Sequence, residues 1–162
     1  MSRGPLQFPV GDLLADPGRR RSVAVDAAVD WSLNSSRLDT PVAGTMLLQS
    51  TGDGVFVTGS VATTAVHVCN RCLREFDGRI TVSISELVGG EDPEYPLDHD
   101  VADLEPVVRD AVLLALPVLP LCDPACMGLC ATCGADLNTG ACPGHEEAVE
   151  SPFTVLRGLL EP

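Results

Sequence analysis

Seven cysteines and one histidine of this chain fall into four short pairs: Cys69-x-x-Cys72, Cys122-x-x-x-Cys126, Cys130-x-x-Cys133 and Cys142-x-x-His145. A tetrahedral metal ion needs four ligands, and two clips with a few residues between their members supply them without backbone strain. Eight candidate ligands therefore predict two closed sites per chain, with Zn²⁺ as the ion. A site already filled by four protein ligands leaves no position for a catalytic water, so the metal is expected to hold a fold rather than run a reaction. Thiols that were merely buried would not cluster at this spacing.

A need for metal agrees with the composition. The chain has 162 residues but one Trp, one Tyr and four Phe, so Val, Leu, Ala and Ile must build the core with less area buried per side chain. Structural zinc contributes roughly 10 to 16 kcal/mol of apparent binding energy in small domains, comparable with a whole domain's net stability of about 5 to 15 kcal/mol. Residues 1 to 21 show no charged segment leading into an apolar one, so no secretion signal is expected. The longest apolar stretch, Val112 to Leu121, is too short for a membrane span and contains Pro117 and Pro120. An odd number of cysteines in x-x spacing suits a reducing compartment. The expectation is a cytoplasmic protein without membrane contact or small-molecule substrate. Its formal charge is -13, with no Lys among its ten basic residues, which repels nucleic acid at long range and favours a basic protein partner.

Residues 5 to 21 read as a short helix or arm on the body, with Val10, Leu13 and Leu14 as its apolar patch. From Ser22 to Ser85 the chain is rich in Val and Thr. Strands are predicted at Val23-Ala24-Val25, at Thr45 to Gln49 and at Val55 to Val68, the last introduced by the turn Thr51-Gly52-Asp53-Gly54. Its apolar positions change parity, from Val55, Val57 and Val61 to Val66 and Val68, which predicts a bulge or bend between Gly59 and Thr63. Ile80, Val82 and Ile84 alternate in the next strand, so the first cysteine clip should form a knuckle at a hairpin tip. Eight carboxylates between Glu86 and Glu105, with Gly89, Gly90, Pro93 and Pro96, predict a self-repelling mobile loop. Asp103 can cap a helix carrying Leu104, Val107, Val108, Ala111 and Ala115, which Pro117 stops. Residues 122 to 145 offer little apolar material, and a metal-ordered lobe is the natural reading. After an acidic linker, Glu146 to Glu150, Ser151-Pro152 starts a short closing helix with Phe153, Leu156 and Leu160 on one face.

These readings combine into an α+β fold: an antiparallel, mostly-β sheet or partial barrel with a long helix and a zinc-knuckle lobe. Residues 1–121 would form the β-rich core with its hairpin knuckle and helix. Residues 122–162 would form the lobe and closing helix, packed on the core as one compact unit.

Cys130, Cys133, Cys142 and His145 make a self-contained set, with Gly134 free to turn its amide toward sulfur. The other ion would then take Cys69, Cys72, Cys122 and Cys126, a crosslink across about fifty residues with a large effect on chain entropy. A rival grouping places Cys122, Cys126, Cys130 and Cys133 on one ion and Cys69, Cys72, Cys142 and His145 on the other; a single ion with spare thiols is a third arrangement. His67 could exchange into a site, but a hydrogen-bonded strand histidine is the simpler state. His99 reads as solvated. Arg19 to Arg21, and Arg71, Arg74 and Arg79, could touch RNA phosphate, though local ion pairing suits a chain with so many carboxylates. Phosphate-binding glycine loops and hydrolase motifs are absent from the sequence. A thiol oxidoreductase would place its cysteines at a helix start, whereas Cys69 follows a strand. No enzyme is expected.

Taken in order, Cys69-Asn70-Arg71-Cys72-Leu73, Ala115-Leu116-Pro117, Pro120-Leu121-Cys122, the run Gly128 to Asn138 and the closing Pro152-Phe153 to Leu160 resemble the YceD family, bacterial and chloroplast proteins linked to accumulation of large-subunit ribosomal RNA. That resemblance implies a non-enzymatic ribosome biogenesis factor for 23S rRNA processing or accumulation. With the acidity, it points to a zinc-stabilised adaptor for basic ribosomal or rRNA-processing proteins, with a minor contact to the large-subunit rRNA precursor. A redox-sensing thiol/zinc protein and a direct RNA-binding zinc-knuckle protein are the alternatives.

Overall fold

Alternation of Val and Thr with small residues suits a pleated strand that covers one face, and most of the chain is built this way. The computed structural model describes residues 4–90, 94–140 and 142–145. Their elements are, in order, β1 (Gln7–Pro9), α1 (Gly11–Leu14), β2 (Arg20–Ala27), β3 (Trp31–Leu33), β4 (Ser36–Leu38), β5 (Val42–Ser50), β6 (Gly54–Val68), β7 (Glu75–Gly89), β8 (Val101–Asp103) and α2 (Glu105–Leu114). The closing helix expected from Ser151 and the linker Glu146 to Glu150 lie outside the described residues, as do Glu91, Asp92 and Pro93.

β6 organises an open six-stranded antiparallel sheet. Along its full length it pairs with β7, from Gly54 opposite Gly89 to Val68 opposite Glu75. A strand has two hydrogen-bonding edges, so its other partners share the second one: β5 pairs with residues 55–62 and β4 with residues 65–67. β2 lies beyond β5, and β3 beyond β4. Apart from the sheet, β1 and β8 form a two-stranded ribbon in which Gln7 faces Asp103 and the Gln7 amide donates to the Asp103 carboxylate at 3.0 Å. The ribbon brings the N-terminal arm alongside the segment entering α2.

One face of the sheet is buried. It presents Val25, Val42, Met46, Leu48, Val55, Val57, Val61, Ile80, Val82, Ile84 and Val88, and Leu13 of α1 with Val107, Val108 and Val112 of α2 belongs to the same core. The arm packs as its apolar pattern requires, with Val10 and Leu13 fully buried. Among the described residues no helix is long and apolar enough to cross a membrane.

Three sequence expectations fail instructively. No bulge interrupts β6: its register runs unbroken with β5 to residue 62 and with β7 through residues 59 to 63. Its buried positions keep odd parity to the end, because Thr63, Ala65 and His67 continue the inner face while Val66 and Val68 remain half-buried on the other. The sequence misleads here because small and polar residues take the inner positions and valines the outer. What does occur near Gly59 is a close approach of strands. A Cβ on Gly44 would fall on the Ser60 carbonyl oxygen, and one on Gly59 on the Thr45 carbonyl oxygen, so glycine is required at both.

The long helix is the second correction, since α2 has ten residues. Pro106, in the first turn, and Pro117 bound it, and a proline disfavours helical backbone in the residue before it. Asp103 acts next to its start as expected, accepting the Glu105 amide at 2.9 Å, but Val112 and Leu116 take the buried places expected for Ala115, which is exposed. The described part of the acidic stretch is also more structured than a mobile loop. Residues 86 to 89 extend β7, 101–103 form β8, and the Gly89 amide donates to the Tyr95 carbonyl at 2.7 Å.

The parity finding is testable by urea unfolding. Val66→Thr should change stability by less than about 0.5 kcal/mol, whereas Val61→Thr, one face over, should cost about 1 to 3 kcal/mol by burying a hydroxyl. Gly44→Val should cost at least about 2 kcal/mol through overpacking against β6.

Candidate metal centres

The turn between β6 and β7 carries the first clip. Cys69 accepts the Leu73 amide at its carbonyl and donates its own amide to the Arg74 carbonyl, both at 2.9 Å, which folds Cys69 to Arg74 into a knuckle. The Arg71 amide approaches the Cys69 sulfur at 3.5 Å. After α2 the chain returns to this knuckle: the Asn70 amide donates to the Pro120 carbonyl at 2.9 Å, and the Leu129 amide to the Arg71 carbonyl at 3.0 Å. The Arg71 side chain closes the contact, donating through Nη1 to the Cys126 carbonyl at 2.8 Å and the Pro124 carbonyl at 3.4 Å. Gly128 has φ +80°, and a Cβ there would press on the Arg71 carbonyl at 3.0 Å, so the position needs glycine both for its turn and for its space.

This docking gathers Cys69, Cys72, Cys122 and Cys126, whose sulfurs all lie within 4.8 Å of one another. Cys69 and Cys126 are 3.9 Å apart, Cys72 and Cys122 3.6 Å. Four sulfurs at about 2.3 Å from one tetrahedral ion would be separated by about 3.8 Å. The arrangement therefore fits one ion without rearrangement.

The second cluster joins Cys130, Cys133, Cys142 and His145. Cys142 lies 3.8 Å from Cys133 and 3.6 Å from Cys130, while the His145 Nε2 is 2.9 Å from Cys142 and 3.1 Å from Cys130. The sulfur edges suit an ion; the imidazole would move outward slightly to reach the edge of about 3.5 Å that a bound metal sets. Its knuckle repeats the backbone of the first: Gly134 donates to the Cys130 carbonyl at 2.9 Å and Cys130 to the Ala135 carbonyl at 2.8 Å. The residue after the second cysteine is left-handed in both, Leu73 at φ +59° and Gly134 at φ +72°. Below this knuckle the Asn138 side chain accepts the Met127 amide at 2.8 Å, and Asp136 accepts the Asn138 amide at 2.9 Å. The rival grouping, with Cys122 and Cys126 on the same ion as Cys130 and Cys133, does not match this geometry.

In each cluster electrostatics single out one thiol that ionises early and one that resists. Backbone amides of Cys122 and Cys72 hold Cys69 down to about 6, against desolvation. Amides of Cys133 and Thr132, with the His145 side chain, bring Cys130 to about 6 as well. Desolvation, followed by the neighbouring Cys72 and Cys69, pushes Cys122 up to about 12. For Cys142 the Gly144 amide pulls the thiol down, but desolvation and the Cys130 and Cys133 thiols outweigh it and the net shift is upward. Several thiolates cannot share so small a space without a cation. Both clusters can hold a metal ion, and donor sets dominated by thiolate favour soft or borderline ions.

Neither other histidine joins them. His67 is buried on the inner face of β6, with Nδ1 2.7 Å from the Ser36 hydroxyl and its ring 5.3 Å from that of Phe76, and burial lowers its pKa. His99 is exposed beside Asp98. The arginines form largely local contacts: Arg21 and Arg19 approach Asp12, Arg37 pairs with Glu75 at 2.7 Å, and Arg74 points Nη2 at the Cys122 sulfur at 3.9 Å. Sequence reasoning missed the bridging role of Arg71 and the left-handed Leu73. The only hint of the latter was Gly134 at the equivalent place in the other knuckle.

The family model for the large ribosomal RNA subunit accumulation protein YceD matches residues 57–160. An uncharacterized protein of Mycobacterium tuberculosis is 36% identical over 126 residues, covering 71% of this chain and 60% of that protein. One from Mycobacterium leprae is 28% identical over 173 aligned positions, covering 98% of this chain and 79% of its own. The chloroplastic large ribosomal RNA subunit accumulation protein YCED homolog 1 of Arabidopsis thaliana is 33% identical over 67 residues, 41% of this chain and 21% of its own. The chain thus spans about 60% of the length of the Mycobacterium tuberculosis relative. No solved structure matches it.

Metal analysis of the purified chain should find two ions. Cys69→Ser with Cys72→Ser should remove one, and Cys130→Ser with Cys133→Ser the other; the first pair should lower the melting temperature more, since it unties the buried crosslink. Leu73→Gly should keep both ions and raise stability by about 1 kcal/mol, because it releases left-handed strain in an exposed side chain.

Proposed function

The chain belongs to the YceD family of large ribosomal RNA subunit accumulation proteins, and we propose on that premise that it is a non-enzymatic ribosome biogenesis factor. It supports processing or accumulation of 23S rRNA, acting in the cytoplasm as a zinc-stabilised adaptor. The observation that supports this reading best is the reach of the family match: residues 57–160 include the hairpin knuckle and all eight clustered ligands. Both clusters present four protein ligands, so two structural zinc ions, each without an open coordination position, are the natural occupants.

An adaptor for protein is favoured over a coat for RNA by the charge of -13 and by the way the arginines near the first knuckle are engaged. Arg71 is bound to carbonyls of the metal segment, Arg74 faces Cys122 and Arg37 is paired with Glu75. Few cations remain there to release counterions from phosphate. Basic ribosomal or rRNA-processing proteins are therefore the partners, with the large-subunit rRNA precursor touched secondarily.

Gradient profiling tests the reading. The tagged chain should co-sediment with large-subunit precursors, and its depletion should lower 23S rRNA relative to 16S rRNA. The Cys69→Ser, Cys72→Ser variant should fail to restore that ratio. Absence from precursor fractions together with an unchanged rRNA ratio would overturn the proposal.

A further inference from the structure

Beside the C-terminal half of α2 is a groove of 310 Å³ lined by Leu33, Glu94, Tyr95, Asp110, Leu113 and Leu114. Its lining combines three leucines and a tyrosine with two carboxylates. Leu114 is 85% exposed and Leu33 43%, and just past the end of α2 Val118 and Leu119 are 77% and 69% exposed. A helix end that leaves a leucine and its following valine and leucine in water has apolar surface available for a partner. The Tyr95 hydroxyl donates to the Asp110 carboxylate at 3.3 Å, which fixes the ring as one wall. Burial first, then the charges of Asp110, Glu94 and Glu86, raise the Tyr95 pKa, so three carboxylates act on this wall together. Arg109 reaches one oxygen of Asp110 at 3.4 Å and offsets part of that charge.

We propose that this groove is a docking site for a basic amphipathic peptide segment, which seats an aliphatic side chain between Leu33 and Leu114 and places Arg or Lys against Asp110 and Glu94. The proposal rests on the adaptor reading and says where on the molecule the basic partner sits. Charge decides among occupants. Phosphate would meet carboxylates on its way in, and a second copy would bring another net charge of -13 to the same place, whereas a cationic segment gains both from the apolar lining and from the carboxylates.

The test uses the full-length, zinc-loaded chain and two labelled synthetic peptides of identical Leu and Arg content. One has Leu at helical i, i+3, i+4, i+7 spacing, and the other is scrambled. Anisotropy titration should show the patterned peptide binding at least about tenfold tighter than the scrambled one. Leu114→Glu should abolish that preference. Asp110→Asn, a gentler change, should weaken the patterned peptide about two- to fivefold and reduce its dependence on salt. Equal binding of both peptides, or indifference to both variants in folded protein, would overturn the site. So would a photoreactive residue at 114 that crosslinks to residues 146–162 of the chain itself or to a second copy, or a single-stranded RNA that displaces the patterned peptide. Gradient profiling separates the two levels: loss of precursor association by the unaltered chain defeats the adaptor reading, whereas association kept by Leu114→Glu defeats the groove alone.

Discussion

The return of the chain after α2 onto the β6–β7 turn is the contact on which the rest of the molecule's metal segment depends. Among the described residues from 121 to 145 there is no helix or strand, and their larger apolar side chains are few, with Met127 exposed. Such a segment cannot hold itself by burying area. It is placed instead by two backbone hydrogen bonds and one side chain: from Asn70 to Pro120, from Leu129 to Arg71, and from the Arg71 guanidinium to the Cys126 and Pro124 carbonyls. Each of those groups belongs to the first knuckle or to the segment it receives, so the hairpin tip is a template for the metal segment described after α2.

The template works because the hairpin behind it is stiff. β6 and β7 are paired over fifteen residues each, with one face packed on the core. A ladder of that length transmits the position of the core to a tip that lies beyond the core's edge. His67 and Phe76 sit opposite each other just below the turn, and Gly78 leaves room for the imidazole, where a Cβ would come within 2.6 Å of Nε2. With its proton partner Ser36 on β4, the histidine ties the third neighbour of β6 to the same point. A polar residue in an apolar face is usually unfavourable; hydrogen-bonded and neutral, this one locks the base of the knuckle.

Most of this was legible in the sequence where the signal was chemical or strictly periodic. Ligand spacing offered the two groups that the structure gathers as one of three arrangements, and alternating Ile80, Val82 and Ile84 implied the strand that follows the knuckle. It was illegible where packing reversed the usual sense of a residue. Val66 and Val68 look like core and lie on the outer face, while Thr63 and His67 look like surface and lie within. Three-residue strands such as β1, β3, β4 and β8 carry too few alternations to register as a pattern. They form because β6 and the N-terminal arm offer them edges, a fact about neighbours and not about their own residues. The left-handed Leu73 is hidden for the same reason: leucine argues against that backbone, and only the hydrogen bonds on either side of it in the knuckle enforce it.

The two clusters differ in what surrounds them, and this implies different physical roles. Cys69, Cys72 and Cys126 are buried together with Phe76, Leu121 and Leu129 packed around them. Arg74 lies beside Cys122, so a four-thiolate site with its negative charge has a counter-ion already in place. That cluster is built as an internal fastening. Cys133 and His145, by contrast, are exposed, and no arginine approaches them among the described hydrogen bonds. Around a divalent ion, three thiolates and an imidazole would carry less negative charge than four thiolates, so the site with less counter-charge would also be the one with less need of it. The outer cluster can therefore stand in water while the inner one holds it to the sheet: among the described residues the outer knuckle is joined to the body by the Leu129 amide on the Arg71 carbonyl, with Gly128 packed beside it.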